Sequence, residues 1–352
     1  MSFSVQSLTR FFLALLFATA ISALHFGLWA WVNQGSTYTE AENNIRGYAY
    51  SPYQREQSPL EKKFPSAAEI AADLDLLALS SGRIRLYGSL ENAWVIPLAN
   101  KYPLRVTAGA WLSGDAEANQ REVQTVIETA RNHRHVERVI VGNESLLRAD
   151  LNVDTIIPYL RTAREALKKP VSTAEPWHVW LRYPQLVDNV DFITVHLLPY
   201  HEGVPVEQAV SYALMRYDEL VKLYPRKKIV IGEVGWPSKG PILGGAVPSV
   251  ENEARFIREF LAQMRLRHLD YYIMEAIDQP WKIEVEGWAG AYWGMYDAER
   301  QLKFPLEGEV IGDTNWDEKA RIATALAFIP MLLVFLFLQS WSLPGRIWLS
   351  AL

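Results

Sequence analysis

Two long apolar segments frame the chain, and a more polar body lies between them. Residues 11–32 are almost continuously apolar, and residues 322–343 form a second such run. Each is long enough to cross a bilayer, which takes about 20 apolar residues. In the first segment, Ala18-Thr19-Ala20 could be a signal-peptide cleavage site, but the apolar run continues to Trp29 and Trp31, which suit a membrane interface. The pattern predicts an uncleaved anchor over residues 11–32 and a transmembrane helix over residues 322–343.

Strand-like runs alternate with amphipathic helical stretches in the body. The first helix has a clear start, because Ser66 and Glu69 form a capping box and Ile70, Leu74 and Leu77 follow on one face. The eight runs that we predict as strands cover residues 47–53, 83–89, 105–112, 138–144, 170–175, 192–200, 228–236 and 271–280.

This alternation predicts an α/β fold, a (β/α)8 TIM barrel over residues 43–310, flanked by an N-terminal and a C-terminal transmembrane helix. The strands are apolar for most of their length, as strands buried on both faces are. A doubly wound open sheet is the alternative, and the lack of a Gly-x-Gly-x-x-Gly turn after the first strand disfavours it. The two spans would place the whole barrel on one side of the membrane.

Composition narrows the classes of partner. The net charge is -5 and no long basic run occurs, which argues against nucleic acid. Cysteine is absent, so disulfides and thiolate chemistry are excluded. The chain holds 13 Trp and 16 Tyr, and several lie near predicted strand ends, where flat apolar faces suit sugar rings.

Two glutamates, Glu144 and Glu233, close apolar strands that each carry a glycine just before the acid. They belong to the fourth and seventh predicted strands, so their carboxylates are expected to converge over the barrel mouth, where barrel active sites are built. Cleavage of a glycosidic bond with retention of configuration uses such a pair, about 5–5.5 Å apart, as acid/base and nucleophile. The pair predicts this chemistry.

Other polar and aromatic side chains near the strand ends are candidates for substrate binding. Asn143 could bond a sugar 2-hydroxyl, and Trp236 and Trp281 could stack on pyranose rings. No cofactor or metal is expected, because His196 and His201 lack partner ligands at suitable spacing. The candidate substrate-binding residues are Tyr87, Asn143, Glu175, His196, Tyr200, Trp236, Glu275, Asp278, Trp281 and Lys282.

The motifs Gly142-Asn143-Glu144 and 232–238 resemble glycoside hydrolase family 17, the β-1,3-glucanase family of the large retaining-barrel clan. Four stretches resemble its bacterial branch: residues 84–88, 194–200, 275–282 and 290–294. The resemblance implies Glu144 as acid/base and Glu233 as nucleophile, acting on β-1,3-linked glucan with water or a sugar hydroxyl as acceptor. At the sixth strand the chain departs from the Tyr-Pro-Tyr type run of plant members, so their subsites are not carried over.

Our hypothesis is therefore a membrane-anchored enzyme that faces the periplasm or the cell exterior and acts on β-1,3-glucan. Some bacterial relatives are fused to a membrane glycosyltransferase. Here nine residues follow the second apolar segment, so we expect any glucan synthase to be a separate chain. A second hypothesis is a catalytically silent glucan-binding or glucan-synthase accessory protein, which the tryptophans and anchors motivate. The two glutamates argue against it, since a pure binder has no need of the pair.

Overall fold

The chain divides into two compact units in a computed structural model that describes residues 5–41, 44–337, 342 and 344–345. One unit is residues 37–310, and the other consists of the described parts of residues 1–36 and 311–352. The predicted barrel start at residue 43 lies outside the described residues, as do residues 338–341 and 343 of the second predicted span.

Eight parallel strands close into a barrel within residues 37–310, which confirms the predicted fold class. They pair in chain order, and the last strand pairs with the first. The barrel strands are β1 Tyr48–Ala49, β2 Arg83–Arg85, β3 Arg105–Ala110, β4 Val136–Asn143, β5 Val171–Pro176, β6 Phe192–Leu197, β7 Lys228–Val234 and β8 Tyr271–Ile273. Two further two-residue strands are Ser36–Thr37 and Glu309–Val310.

Helices follow most of the strands. The first begins at the capping box that the sequence predicts, because Ser66 Oγ accepts from Glu69 N and the Glu69 carboxylate accepts from Ser66 N. The helices are α1 Ala67–Ala78, α2 Val95–Ala99, α3 Ala116–Asn132, α4 Val153–Ala166, α5 Trp177–Arg182, α6 Gln185–Asp188, α7 Val206–Leu223, α8 Val250–Arg267 and α9 Ile283–Gly290. Short 3-10 helices cover Pro199–Glu202 and Pro280–Lys282.

Several strands are shorter than the sequence predicts, most clearly at the last one. The predicted strand ran to residue 280, whereas β8 ends at Ile273. Beyond it, Glu275 N donates to Trp293 O at 2.7 Å and Met295 N donates to Glu275 O at 2.8 Å, so the chain pairs with a later loop. The residues stay buried after they leave the barrel. An apolar run therefore predicts burial more reliably than strand pairing.

A buried carboxylate closes the end of the barrel where the strands begin. Asp270, just before β8, accepts from Arg46 Nε at 3.0 Å and from Arg138 Nη2 at 3.4 Å, and it pairs with Lys228. Burial raises the pKa of Asp270, but Lys228, Arg138 and Arg46 together hold it far below its usual value. The cluster ties the starts of β1, β4 and β7 to β8.

The other unit contains two long apolar helices, Val5–Val32 and Trp316–Phe337. Residues 11–32 and 316–337 are each long and apolar enough to cross a membrane by length and composition alone. The two helices pack on each other, since His25 Nδ1 lies 2.9 Å from Thr324 Oγ1 and the rings of Phe17 and Phe335 stack at 5.2 Å. The second helix begins six residues before the predicted span. Insertion in a membrane stays a prediction.

Candidate active site

The two glutamates lie at the carboxyl ends of their strands, and the backbone aims each side chain. Glu144 follows β4 directly and adopts a left-handed conformation with φ of 53°, which is uncommon for a residue with a side chain. Its N–H donates to Ala174 O at 2.8 Å, and its carbonyl accepts from Arg148 N at 2.9 Å. Gly142, two residues earlier, has φ of 86°, and a Cβ there would lie 3.0 Å from Ile156. This sharp turn directs the carboxylate of Glu144 into the mouth.

His196 joins the two glutamates. It lies opposite Glu233 in the pairing of β6 with β7. Its Nδ1 is 2.7 Å from Glu144 Oε1 and 3.4 Å from Glu233 Oε2. One donor atom of each of the three residues lies within 4.8 Å of the others. The structure thus brings the two carboxylates as close together as a retaining glycosidase requires, about 5–5.5 Å.

Arg85 holds Glu233 in place from across the barrel. The guanidinium is buried, and its Nη1 donates to Glu233 Oε1 and to Gly232 O, both at 2.8 Å. Its Nη2 donates to Asn143 Oδ1. A bond to a buried guanidinium orients a carboxylate. Arg85 therefore links the two strand ends that carry the pair.

We did not select Arg85 from the sequence, although a signal was present. It lies between Ile84 and Leu86 in a run that the pattern predicts as a buried barrel strand. A charged residue at such a position is costly unless it is paired, so its presence indicates a buried anionic partner. Residue spacing alone does not reveal that the partner is Glu233, on a strand 148 residues away.

The two glutamates have different surroundings. The side chain of Glu144 is 21% exposed and that of Glu233 is 4% exposed. Burial raises the pKa of Glu144, but the hydrogen bond and charge of His196, with smaller contributions from Arg148 and His201, hold it below its usual value. His196 is therefore the main influence that lowers the pKa of Glu144 against the effect of burial.

A second ion pair lies beside Glu233. Lys282 Nζ donates to Glu275 Oε2 at 2.6 Å, and both side chains are buried. The same Nζ lies 5.4 Å from the ring centre of Tyr87. The Arg85 guanidinium lies 5.2 Å from the same ring centre. The Tyr87 hydroxyl is buried with no hydrogen-bond partner in the described part of the chain. Burial, and then the charge of Glu233, raises the pKa of Tyr87 well above its usual value.

The rings of Trp236 and Tyr200 are enclosed in the core, which argues against the predicted stacking of Trp236 on a sugar and the predicted substrate contact of Tyr200. Trp236 is fully buried, its Nε1 donates to Val247 O at 3.1 Å, and its ring stacks on Phe256. Tyr200 is also fully buried, and its hydroxyl donates to Pro241 O at 2.6 Å. The two rings pack edge to face, so they support the mouth from beneath. These two aromatic residues are therefore core residues.

Glu175 and Asp278 are also supporting residues and not surface contacts, so the structure corrects their predicted role in substrate binding. Glu175 is fully buried and accepts from Leu146 N at 2.9 Å and from Leu147 N at 3.3 Å, which fixes the turn after Glu144. Burial raises its pKa to about 8. Asp278 is buried as well and accepts from Gly294 N at 2.8 Å.

Two tryptophans do present partly accessible faces near strand ends. Trp281 is half-buried, and its Nε1 donates to Gln279 Oε1 at 2.9 Å, which is compatible with its predicted stacking role. Trp111, just after β3, is 39% exposed, and the Arg148 guanidinium lies 4.3 Å from its ring centre. Trp111 was not among the selected binding residues, and its place after an apolar strand was the signal for it.

Glu144, His196 and Glu233 form the group of donors among the described residues that could hold a metal ion. The 2.7 Å between His196 Nδ1 and Glu144 Oε1 is a hydrogen-bond length. Two ligands of one tetrahedral zinc ion, with bonds of 2.0–2.1 Å, would lie roughly 3.3 Å apart. The charged Arg85 next to Glu233 would also repel a cation. The geometry therefore fits a hydrogen-bonded triad better than a metal site, and the expectation of no metal stays a prediction.

Comparisons with known proteins agree with this geometry. A family model described as the BtgE/BtgC glycoside hydrolase domain matches residues 47–294. The chain is 29% identical over 297 residues to the probable glucan endo-1,3-beta-glucosidase btgC of Aspergillus clavatus. The match covers 74% of the chain. The chain spans 42% of the length of that relative.

Two solved structures of a Rhizomucor miehei β-1,3-glucanosyltransferase share the barrel fold. The family 17 enzyme is 24% identical with a TM-score of 0.66, and an active-site mutant in complex with laminaritriose is 23% identical with a TM-score of 0.67. Each comparison covers 76% of the chain and 98% of the solved structure. The predicted resemblance to family 17 is confirmed. Its bacterial branch stays an expectation.

Proposed function

Because the chain belongs to the BtgE/BtgC glycoside hydrolase domain family, we propose that it is an enzyme that cleaves the β-1,3-glucosidic bonds of β-1,3-glucan. The observation that carries the proposal is the pair of carboxylates at the mouth, joined by His196 within 4.8 Å. A protein that only binds glucan needs hydrogen bonds and aromatic faces. It does not need two carboxylates held this close to each other, one hydrogen-bonded to a guanidinium and the other to an imidazole.

We assign the nucleophile to Glu233 and the acid/base to Glu144. Glu233 is bound by Arg85, which fixes the direction of its carboxylate. It attacks the anomeric carbon while Glu144, the more accessible of the two, protonates the departing oxygen. Glu144 then takes a proton from the acceptor hydroxyl, and that oxygen releases the sugar from Glu233. Two carboxyls with different partners can divide these roles.

His196 acts as a positioning residue for Glu144 in this mechanism. Glu144 must carry a proton to begin the cycle, yet its bond to His196 lowers its pKa. A glycosidic oxygen that enters the mouth would compete with the imidazole for that carboxyl. We therefore place the gain of the proton at the step where substrate displaces the bond to His196, which favours the acid form only when substrate is present.

Replacing His196 with Gln is expected to move the alkaline limb of kcat/KM to higher pH. The limb reports loss of the proton from Glu144 in the free enzyme. Without the imidazole, burial remains as the main influence and raises the pKa of Glu144. A pH profile on a soluble laminari-oligosaccharide measures the limb, with His133→Gln, at the far end of the barrel, as the control. An unmoved limb, or one at lower pH, contradicts the assigned role.

The acceptor is water in a hydrolase and a sugar hydroxyl in a glucanosyltransferase, and both share the first half-reaction. The test is the product ladder from laminarihexaose of defined length, separated by chromatography. Products longer than the substrate indicate transfer, and only shorter ones indicate hydrolysis. If the full chain binds the oligosaccharide but yields neither, the enzyme proposal is wrong and the silent binding protein takes its place.

We further propose that the two apolar helices anchor the enzyme in a membrane with the barrel on the extracytoplasmic side. Support comes from the length and composition of residues 11–32 and 316–337 and from the packing of His25 on Thr324. β-1,3-Glucan outside the cytoplasm would then be the substrate, and a membrane glucan synthase would be a neighbouring protein. Protease added to intact spheroplasts should digest the barrel. Protection of the barrel until the membrane is lysed would refute this sidedness.

A further inference from the structure

The end of the barrel opposite the mouth carries a concentrated positive charge that the catalytic proposal does not use. The segments facing this end run from the end of each barrel helix to the first residue of the next strand, together with residues 44–47 before β1. They contain ten Lys or Arg and two Asp. The loops at the mouth, from each strand end to the next helix, contain six Lys or Arg and nine Asp or Glu. The chain as a whole has a net charge of -5, so its cations are segregated. We call this end the basic face. Its ten cations are Arg46, Arg83, Lys101, Arg105, Arg134, Lys168, Lys169, Arg226, Lys227 and Lys228.

Half of these cations have no partner inside the protein. Lys101, Arg105, Arg134, Lys168 and Arg226 are exposed, and none makes an ion pair or side-chain hydrogen bond within the described part of the chain. They come from four different strand connections, so they are spread over the face. Surface cations of a folded domain are usually offset by nearby carboxylates. Here Asp191 and Asp270 are the two carboxylates of the connecting segments, against ten cations.

Helix ends explain only part of this charge. Cations in the last turn of a helix offset the negative end of its dipole, and Arg131, Arg164 and Lys222 occupy such positions. The ten cations of the basic face lie beyond the helix ends, where the dipole no longer acts strongly. A shallow depression of about 510 Å³ also lies at this face, and its charged lining residues are Arg161, Arg164, Glu165, Lys168, Lys169 and Asp191.

The chain also enters the barrel at this end. Ile45 pairs with Ser81, just before β2, and Arg46 follows it onto the face. Ala41 N donates to Leu306 O at 3.1 Å, so the last part of the barrel unit returns beside its first part. The chain therefore enters the first barrel strand from the basic face, at Ile45 and Arg46. A bilayer is the extended anionic surface that anchoring would bring within reach.

We propose that the basic face binds the anionic lipid headgroups of the membrane in which the chain is anchored, with the mouth pointing away from the bilayer. Juxtamembrane cations are attracted to anionic lipid over about a Debye length, roughly 8–10 Å. The depression beside Lys168 and Lys169 receives a lipid phosphate, and the unpaired cations spread over the surrounding headgroups. The arrangement leaves the active site open to a glucan chain on its free side. This inference rests on the proposed anchoring and not on the proposed catalysis.

The test uses the full chain, whose lack of cysteine allows a single label at a chosen position. Asn132→Cys places an environment-sensitive fluorophore on the basic face, and Ile242→Cys places it in a loop at the mouth. Each labelled chain is reconstituted in nanodiscs of phosphatidylcholine alone or with phosphatidylglycerol, both doped with a lipid that carries a quencher on its headgroup. The Asn132 label should be quenched at least about two-fold more in the anionic nanodiscs, with reversal by high salt. The Ile242 label should not respond.

Charge removal is the matched comparison. The triple variant Arg134→Gln, Lys168→Gln, Arg226→Gln should lose the anionic-lipid response of the Asn132 label, since each cation removed weakens the contact roughly five-fold. The control variant Lys62→Gln, Lys63→Gln, Arg121→Gln removes the same charge from the other half of the barrel and should keep it.

The outcomes separate this inference from the proposals beneath it. Equal quenching of the Asn132 label in both nanodiscs overturns the lipid contact, whatever the activity of the chain. If duplex DNA changes the fluorescence of that label more than anionic lipid does at the same salt concentration, the face is assigned to nucleic acid. That result also overturns the lipid contact. A chain that enters neither nanodisc contradicts the anchoring, and the inference falls with it. Glucan cleavage measured on the same samples reports on the catalytic proposal alone.

Discussion

Replacing Glu233 with Gln is expected to lower kcat on laminari-oligosaccharides by roughly 10⁴- to 10⁶-fold, the scale for loss of a catalytic nucleophile. The amide keeps the shape of the side chain but cannot form the glycosyl ester. Its binding of the oligosaccharide should change little, because the residue acts on the anomeric carbon and not on the hydroxyls. Initial rates from reducing-end release, and binding by calorimetry, measure the two separately.

This substitution also leaves Arg85 buried beside a neutral group, so a loss of stability must be distinguished from a loss of chemistry. Glu253 offers the matched control, since it is a buried glutamate paired with Lys303 outside the active site. Glu253→Gln replaces a buried carboxyl in contact with Lys303 by its amide and reports the effect of such a change on the melting temperature, while activity should be kept. If Glu233→Gln retains more than about a tenth of the activity of the parent chain, Glu233 is not the nucleophile.

Replacing Glu144 with Ala is expected to lower kcat on laminari-oligosaccharides by roughly 10²- to 10⁴-fold, the usual contribution of general acid–base catalysis. Aryl laminaribiosides with a dinitrophenolate leaving group should still form the glycosyl-enzyme quickly, because that group departs without a proton. Added azide should then accelerate release, since it needs no general base. The product should be the β-glycosyl azide, as azide attacks the face opposite Glu233.

The anomer of the azide product distinguishes the two assignments. In a Glu233→Ala variant, azide takes the place of the missing carboxylate on the other face of the sugar and should give the α-glycosyl azide. Proton NMR of the anomeric coupling reads the configuration directly. An α product from Glu144→Ala and a β product from Glu233→Ala would exchange the roles of the two residues.

The sequence predicted the barrel and the two catalytic candidates because both depend on local patterns. Apolar runs of strand length alternate with helical stretches, and Glu144 and Glu233 each follow a glycine at the end of such a run. In a closed parallel barrel every strand ends at the same face, so two acids at strand ends must share one mouth. No long-range contact has to be known for this step.

The surroundings of the pair could not be predicted in the same way, because they depend on contacts between distant strands. Arg85 reaches Glu233 across the barrel, and His196 lies between both glutamates only because β6 and β7 pair in this register. Trp236 shows the opposite error. It sits three residues after Glu233 and was predicted to bind sugar, yet its indole turns into the core against Phe256. Position along the chain does not give the direction of a side chain once the strand has ended.

Helix boundaries were predicted where a capping signal fixed them, as at Ser66, and strand ends were not. The run that includes β2 stays buried as far as Ser89, where the backbone N–H donates to the carboxylate of Glu122 in place of a strand partner. Here a side-chain carboxylate accepts the hydrogen bond that a neighbouring strand would otherwise accept. The strand pairing ends, but the apolar pattern of the sequence does not change. The basic face was missed for a related reason, since its cations are single residues or runs of two or three along the sequence that only the fold brings together.

The central claim is that Glu233 forms a covalent bond to the sugar, and trapping that bond tests it most directly. The full chain is incubated with 2,4-dinitrophenyl 2-deoxy-2-fluoro-β-laminaribioside, whose fluorine slows release of the glycosyl-enzyme, and is then digested and mapped by mass spectrometry. We expect one fluorolaminaribiosyl unit on the peptide that contains Glu233, and none in the Glu233→Gln variant. An adduct on the peptide of Glu144, or no adduct from a chain that still cleaves laminari-oligosaccharides, would contradict the account.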